Sequence, residues 1–245
     1  MRVGRIQTED GPRAVIHDGV WWRAVDDPFA PAPVFTGERY PVEGARLLAP
    51  CLPTVIVGIS HNLGANDHPL PIQAFLKSTR TLAGPGDEVP YRRGIGTVNM
   101  EGELALVIGT RCRDLARETA LDVVFGYTIA NDVTSAGQVE VDEKFTQVKN
   151  GINYTPVGPW IETSLATPDA RAIVMHVNGV DTLESSTARL PSDLTDVLVY
   201  VTRWMELGPG DLVLTGAPAT SVAVQPGDEV AITIDGLGTL VNTVG

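Results

Sequence analysis

Two glutamates one residue apart at the head of a long apolar run, VNMEGELALVI from Val98 to Ile108, constrain this chain more than any other feature. Side chains of an extended strand alternate between faces, so Glu101 and Glu103 point one way and Gly102, Leu104, Leu106 and Ile108 the other. A run this apolar is core structure, and two like charges set side by side at its start are costly unless a cation neutralises them. A third carboxylate, Asp132, ends a second apolar strand, VVFGYTIAND, after a connection long enough for that strand to lie beside the first. Three hard oxygen donors with room left for water and substrate suit Mg²⁺ or Mn²⁺ better than zinc, which recruits His or Cys. The competing reading makes the glutamate pair the solvated face of an edge strand and Asp132 a helix N-cap.

Composition narrows the partners. Asp and Glu total 30 against 18 Lys and Arg, a net charge of −12, with no basic stripe, so nucleic acid is not an expected partner. An anionic small molecule would have to be drawn by the metal and by local cations. No apolar run approaches the roughly 18 residues of a spanning helix, and the N-terminus MRVGRIQTEDG lacks a signal peptide's apolar region, so no membrane association and a cytoplasmic location are expected. Cys51 and Cys112 have no metal-ligand spacing and fit a reducing compartment as small buried hydrophobes.

Along the chain, residues 1–49 hold short β-prone pieces split by Asp-Gly turns, a small N-terminal β subdomain and connector; 28–44, with four prolines, reads as irregular. Trp21 and Trp22 are neighbours and cannot share a face of one strand. A main domain over 50–245 begins with the buried strand PTVIVGIS, followed by a loop-like, proline-broken stretch that includes His61, His68 and Lys77. The tripeptide PGD occurs three times, each time ahead of a β-type run, as type II turn chemistry at strand entries. Helical spacing predicts helices over 112–124 and over 194–207, the latter started by Pro191, Ser192 and Asp193, with Trp204 on its apolar face. Strands outnumbering two or three helices predict an α+β fold, a mixed β-roll or barrel-like sheet with a small N-terminal β appendage.

The ordered set MEGELALVIG, GYTIANDVT, KNGINYTPVGPW and GDLVLTGAP, with RLLAPCLPTVIVG and FLKS before it and GLGTLVNTV after it, resembles the fumarylacetoacetate hydrolase family over nearly the whole chain. The resemblance implies that family's β-roll, a homodimer, and Glu101, Glu103 and Asp132 as the ligands of Mg²⁺ or Mn²⁺. It also implies Lys149 as the lysine that reaches into the site and Thr215 as a substrate contact; Lys77 and Gln138 are further candidate substrate-binding residues, and Asn131 is read as bracing Asp132. Hydrolases of the family carry a His and a Glu on a lid helix, where they activate water. Here Gly64 stands in that His position, Ala136-Gly137 replaces the usual Arg-Asp, and Ile152 replaces an acid. His61, closest to the buried strand, is the candidate base. His61, the missing dyad and PATSVAVQPGD resemble the branch that degrades homoprotocatechuate in aromatic catabolism. That implies isomerisation or decarboxylation of a 2-oxo acid, of the 2-hydroxyhepta-2,4-diene-1,7-dioate isomerase or 5-carboxymethyl-2-oxohex-3-ene-1,7-dioate decarboxylase type. A C–C hydrolase of acylpyruvate or fumarylacetoacetate type and a non-catalytic metal and dicarboxylate binder are the alternatives.

Overall fold

The structure is a computed structural model, and it describes residues 1–64 and 70–245; His68 lies outside the described residues. The chain opens with β1 (Arg2–Thr8), β2 (Gly11–His17), β3 (Trp21–Val25) and β4 (Phe35–Pro41), an antiparallel meander. Gly11 and Gly19, each at φ 103°, follow the aspartates at its first two turns. Residues 35–41, expected to be irregular, form a strand. Pairing against β3 claims their backbone, and the Arg23 and Arg39 guanidiniums lie over the Phe35 and Trp21 rings. Trp22 is buried with Ile6 and Val15, whereas Trp21 faces the other way.

After β5 (Arg46–Leu48) come β6 (Ile56–Ser60) and β7 (Gln73–Lys77), then β8 (Leu82–Ala83), β9 (Glu88–Val89), β10 (Val98–Ile108) and β11 (Val124–Asn131). A single turn of helix, α1 (Thr146–Lys149), precedes β12 (Thr155–Glu162), the hairpin β13 (Ala172–Val177) and β14 (Val180–Ser186), and α2 (Leu194–Trp204). β15 (Leu212–Leu214), β16 (Ser221–Val224), β17 (Glu229–Ile234) and β18 (Gly238–Val244) complete the chain. The larger sheet runs β4-β3-β2-β1-β12-β11-β10-β15-β6-β7, with β5, β8 and β16 paired off that path; the smaller runs β14-β13-β17-β18-β9. Most pairs are antiparallel, but β15–β6, β12–β8 and β18–β9 are parallel, so the sheet is mixed, as the sequence predicts for an α+β chain. The N-terminal meander continues the larger sheet through the β1–β12 pairing.

β10 is the hub. It pairs with β11, β15 and β16, and both of its faces are buried. On one face Leu104, Leu106 and Ile108 pack with Ile173, Met175 and Ile232 of the smaller sheet and with Val197, Leu198 and Val201 of α2. On the other, Ala105 and Val107 join Ala130, Ile56, Leu212 and Leu214. Each fully buried Leu or Ile contributes about 1.5–3 kcal/mol of transfer free energy, so the register of β10 is strongly specified.

Three local expectations give way to tertiary contacts. Residues 112–115 do not start a helix, because Cys112 exchanges both backbone hydrogen bonds with Leu207, and the Asp114 and Leu115 N–H groups donate to Thr202. What remains is a 3-10 segment over Arg117–Val123. Gln73–Lys77 is a strand paired with β6 rather than a loop. α2 matches its predicted start, with the Asp193 carboxylate accepting from the Asp196 N–H at 2.7 Å, but it ends at Trp204, whose ring is exposed instead of lying on the apolar face. At all three PGD sites the glycine (Gly86, Gly210, Gly227) has positive φ, as a type II turn demands. Among the described residues no helix is long and apolar enough to cross a membrane.

Candidate metal centre

The site grows from the pairing of β10 with β11. Glu103 lies opposite Ala130, and the Asp132 N–H donates to the Glu101 carbonyl, so Glu101, Glu103 and Asp132 share one face of the two strands. One carboxylate oxygen from each lies within 4.8 Å of the others, and all three residues are buried. The solvated-edge reading of the glutamate pair is thereby excluded.

Two lysines reach Asp132, one on each carboxylate oxygen. Lys77, at the end of β7, has a side chain with no exposure; its Nζ donates to Asp132 Oδ1 and, at 2.9 Å, to the Tyr154 carbonyl. Lys149, at the end of α1, donates to Asp132 Oδ2, to Glu101 Oε2 at 2.9 Å and to Thr134 Oγ1 at 2.6 Å. Its ammonium also sits 5.1 Å from the centre of the Phe75 ring, which meets Phe145 edge-on. α1 is short, but the Asp142 carboxylate accepts from the Gln147 and Val148 N–H groups at its start and so fixes the direction of Lys149.

The three acids differ in charge environment. Burial pushes the Asp132 carboxyl up, but the Lys149 and Lys77 ammoniums outweigh it and hold the group below the usual carboxylate range. Glu103 has no ammonium bonded to it. Burial, then the Asp132 charge, raise it well above the normal value, and the Gly216 N–H, 2.7 Å from Oε2, offsets only part of this. Burial lowers Lys77, with Asp132 opposing, whereas for Lys149 the Asp132 and Glu101 carboxylates overcome burial and raise it. Three carboxylates against two ammoniums leave one net negative charge, concentrated where Glu103 lacks a cation. A hard divalent cation fits this donor set and would turn the centre to one net positive charge.

The other residues singled out from sequence fall around this cluster in different ways. The Thr215 hydroxyl is fully buried and donates to the Leu104 carbonyl at 2.8 Å, so it braces β10. Asn131 accepts the Glu101 N–H at 3.0 Å and thus braces Glu101 rather than Asp132. Gln138 donates to the Ile95 carbonyl at 2.8 Å and lines a cavity of about 600 Å³ with Arg92, Ser135, Asn150 and Tyr154; none of the three acids lines it. His61, at φ 61°, pairs its Nδ1 with the Pro71 carbonyl at 3.0 Å and bonds none of the three acids. Thr134, Ser221 and Phe75 went unrecognised in the sequence. Thr134 could have been found, since two residues beyond Asp132 on an extended chain returns to the same face.

Known proteins share this fold. The family model for the fumarylacetoacetate hydrolase C-terminal region matches residues 57–245, and a second, the Rv2993c-like N-terminal model, matches residues 1–50. The chain belongs to the fumarylacetoacetate hydrolase family. A 5-carboxymethyl-2-hydroxymuconate delta-isomerase from Mycobacterium smegmatis superposes with a TM-score of 0.92 at 35% identity, over 100% of this chain and 99% of that one. A 2-hydroxyhepta-2,4-diene-1,7-dioate isomerase from Mycobacterium marinum gives 0.91 at 36%, over 100% and 98%. A family structure more distant in sequence is the maleylpyruvate hydrolase of Sphingobium sp. SYK-6, in complex with manganese(II) and pyruvate, at a TM-score of 0.81 and 27% identity over 100% and 98%.

Proposed function

We propose that this protein is a divalent-metal-dependent enzyme, using Mg²⁺ or Mn²⁺, that isomerises or decarboxylates a small anionic 2-oxo acid through an enolate. The observation that carries the reading is the convergence of Glu101, Glu103 and Asp132 on one buried point flanked by two lysines. Glu101, Glu103 and Asp132 would hold the cation, which would supply Lewis acidity toward a 2-oxo acid and so lower the cost of enolate formation. The protein's own groups do the rest. Lys149 keeps its proton through neutral pH and places positive charge where an enolate develops. Lys77, with no exposure, stands behind Asp132 as its counter-ion. Because a carbonyl oxygen can only accept, His61 Nδ1 donates to Pro71 and fixes the ring, and Nε2 is the atom we assign as the candidate proton carrier.

The isomerase or decarboxylase reading is supported by neighbours named as isomerases at 35% and 36% identity, against 27% for the maleylpyruvate hydrolase. Hydrolysis of a C–C bond, the second reading, needs an acid beside the His to activate water, and among the described residues no acid bonds His61. Family resemblance supports a homodimer as the working form.

The test is metal-dependent proton exchange into pyruvate or oxaloacetate in D₂O, followed by NMR, with wild type and Glu103→Ala compared in Mn²⁺. Exchange by wild type that is lost in the variant is expected. No exchange by wild type overturns the enzymatic reading and leaves a metal and dicarboxylate binder.

A further inference from the structure

β16 lies antiparallel to the start of β10, with Ser221 directly opposite Glu101 and Ala223 opposite Asn99. Directly opposed residues place their side chains on the same face with Cβ atoms about 4.5–5.5 Å apart. The pairing therefore brings the Ser221 hydroxyl to the Glu101 carboxylate: Ser221 Oγ donates to Glu101 Oε1 at 3.1 Å. Asn99, two residues before Glu101 and so on the same face, donates from Nδ2 to Ser221 Oγ at 3.2 Å. The serine hydroxyl accepts from the asparagine amide on one of its two lone pairs, and because an ionised carboxylate can only accept, its single proton goes to Glu101. Asn99 is held in turn by two backbone hydrogen bonds with Thr134, of 2.8 and 2.9 Å, and Thr134 itself donates to the other carboxylate oxygen, Glu101 Oε2, at 2.9 Å. Glu101 is thus gripped on both oxygens: Thr134 and Lys149 hold Oε2, while Ser221 alone among the described side chains holds Oε1.

We infer that Ser221, braced by Asn99, is a positioning residue that sets the direction of the Glu101 carboxylate and thereby the affinity of the centre for its divalent cation. The inference rests on the metal-binding reading of the site given above. Without the Ser221 hydroxyl, Oε1 has no side-chain donor and the carboxylate can turn about its last bond toward Lys149, which draws a ligand oxygen away from Glu103 and Asp132. Partners that orient a ligand in this way are typically worth 10–100-fold in metal affinity.

The experiment is Mn²⁺ binding by calorimetry, with bound Mn²⁺ also followed by its EPR spectrum, for wild type, Ser221→Ala, Ser221→Thr, Asn99→Ala and the double variant Ser221→Ala/Asn99→Ala. Ser221 is exposed, so the alanine variant is expected to melt with wild type in chelator. The expected result is a 10–100-fold weaker Kd for Ser221→Ala with a changed EPR line shape, recovery in Ser221→Thr, and a several-fold loss for Asn99→Ala. The double variant should be no weaker than Ser221→Ala, because Asn99 acts through the serine hydroxyl. Equal Kd values for wild type and Ser221→Ala would overturn the positioning role while leaving the metal centre standing. No Mn²⁺ uptake by wild type would overturn the metal reading and this inference with it.

Discussion

Replacing Lys149 by methionine, a side chain of similar length without the charge, removes the ammonium that joins Glu101, Asp132 and Thr134. The lysine side chain is only 8% exposed, so solvent cannot take over its role. Removing one partner of a buried ion pair costs about 3–5 kcal/mol, because the remaining charge stays buried and unpaired. In a chain of this length each kcal/mol moves Tm by roughly 2–4 °C, so the variant is expected to melt about 6–20 °C below wild type in chelator at pH 7. The pH dependence follows from the two shifts. Lys149 is raised, so its contribution is complete below its unfolded value of 10.5 and is lost only as pH climbs through the higher folded value. Asp132 is depressed, so its share is present above the unfolded value of 3.8 and is lost as pH falls through the folded one. The deficit should therefore be flat from about pH 5 to pH 9 and narrow in stronger acid. With the ammonium gone, the cluster carries one further net negative charge, so saturating Mn²⁺ should raise the variant's Tm more than that of wild type. Scanning calorimetry with and without Mn²⁺ measures all of this. A Tm within about 2 °C of wild type in chelator would refute the claim that Lys149 neutralises the acids.

Two further perturbations read separate parts of the site. Glu103 is raised, so its stabilising, protonated form is complete below the unfolded value of 4.5 and is lost as pH rises through the folded value; Glu103→Gln should raise Tm in chelator at pH 8 by about 2–4 °C, roughly 1 kcal/mol, and abolish Mn²⁺ binding. Thermal scans at pH 5 and pH 8 decide this, and a variant that melts below wild type at pH 8 contradicts it. A Cβ at Gly58 would lie 2.2 Å from Phe75 Cζ, so Gly58→Ala should cost about 1–3 kcal/mol in urea unfolding, whereas Gly208→Ala, whose Cβ would come no nearer than 3.8 Å to Asp211 Oδ2, should stay within about 0.5 kcal/mol.

What could be read from the residues followed periodicity over short distances. The alternation from Glu101 to Ile108 places the acids on one face and Leu104, Leu106 and Ile108 on the other, and it survives intact because both faces are buried and a one-residue slip would put carboxylates into the apolar core. The glycine at the third position of each PGD turn is local steric chemistry and is equally legible. What escaped is set by distant partners. Residues 112–115 have helical spacing, yet their backbone groups go to residues 202–207. Lys77 lies in a stretch that its prolines make loop-like, and only pairing with β6 delivers it to Asp132. Ser221 meets Glu101 across 120 residues of sequence, a distance over which no spacing rule operates.

Gly102 lies between the two glutamates, and a Cβ there would come within 3.0 Å of Ile232 Cγ2 and 3.2 Å of Met175 Sδ. The smaller sheet is therefore seated directly behind the glutamate pair, with no side chain between them to act as a cushion. Any side chain at position 102 would have to push Ile232 or Met175 back, so the closeness of the two sheets behind the acids depends on glycine at that one position.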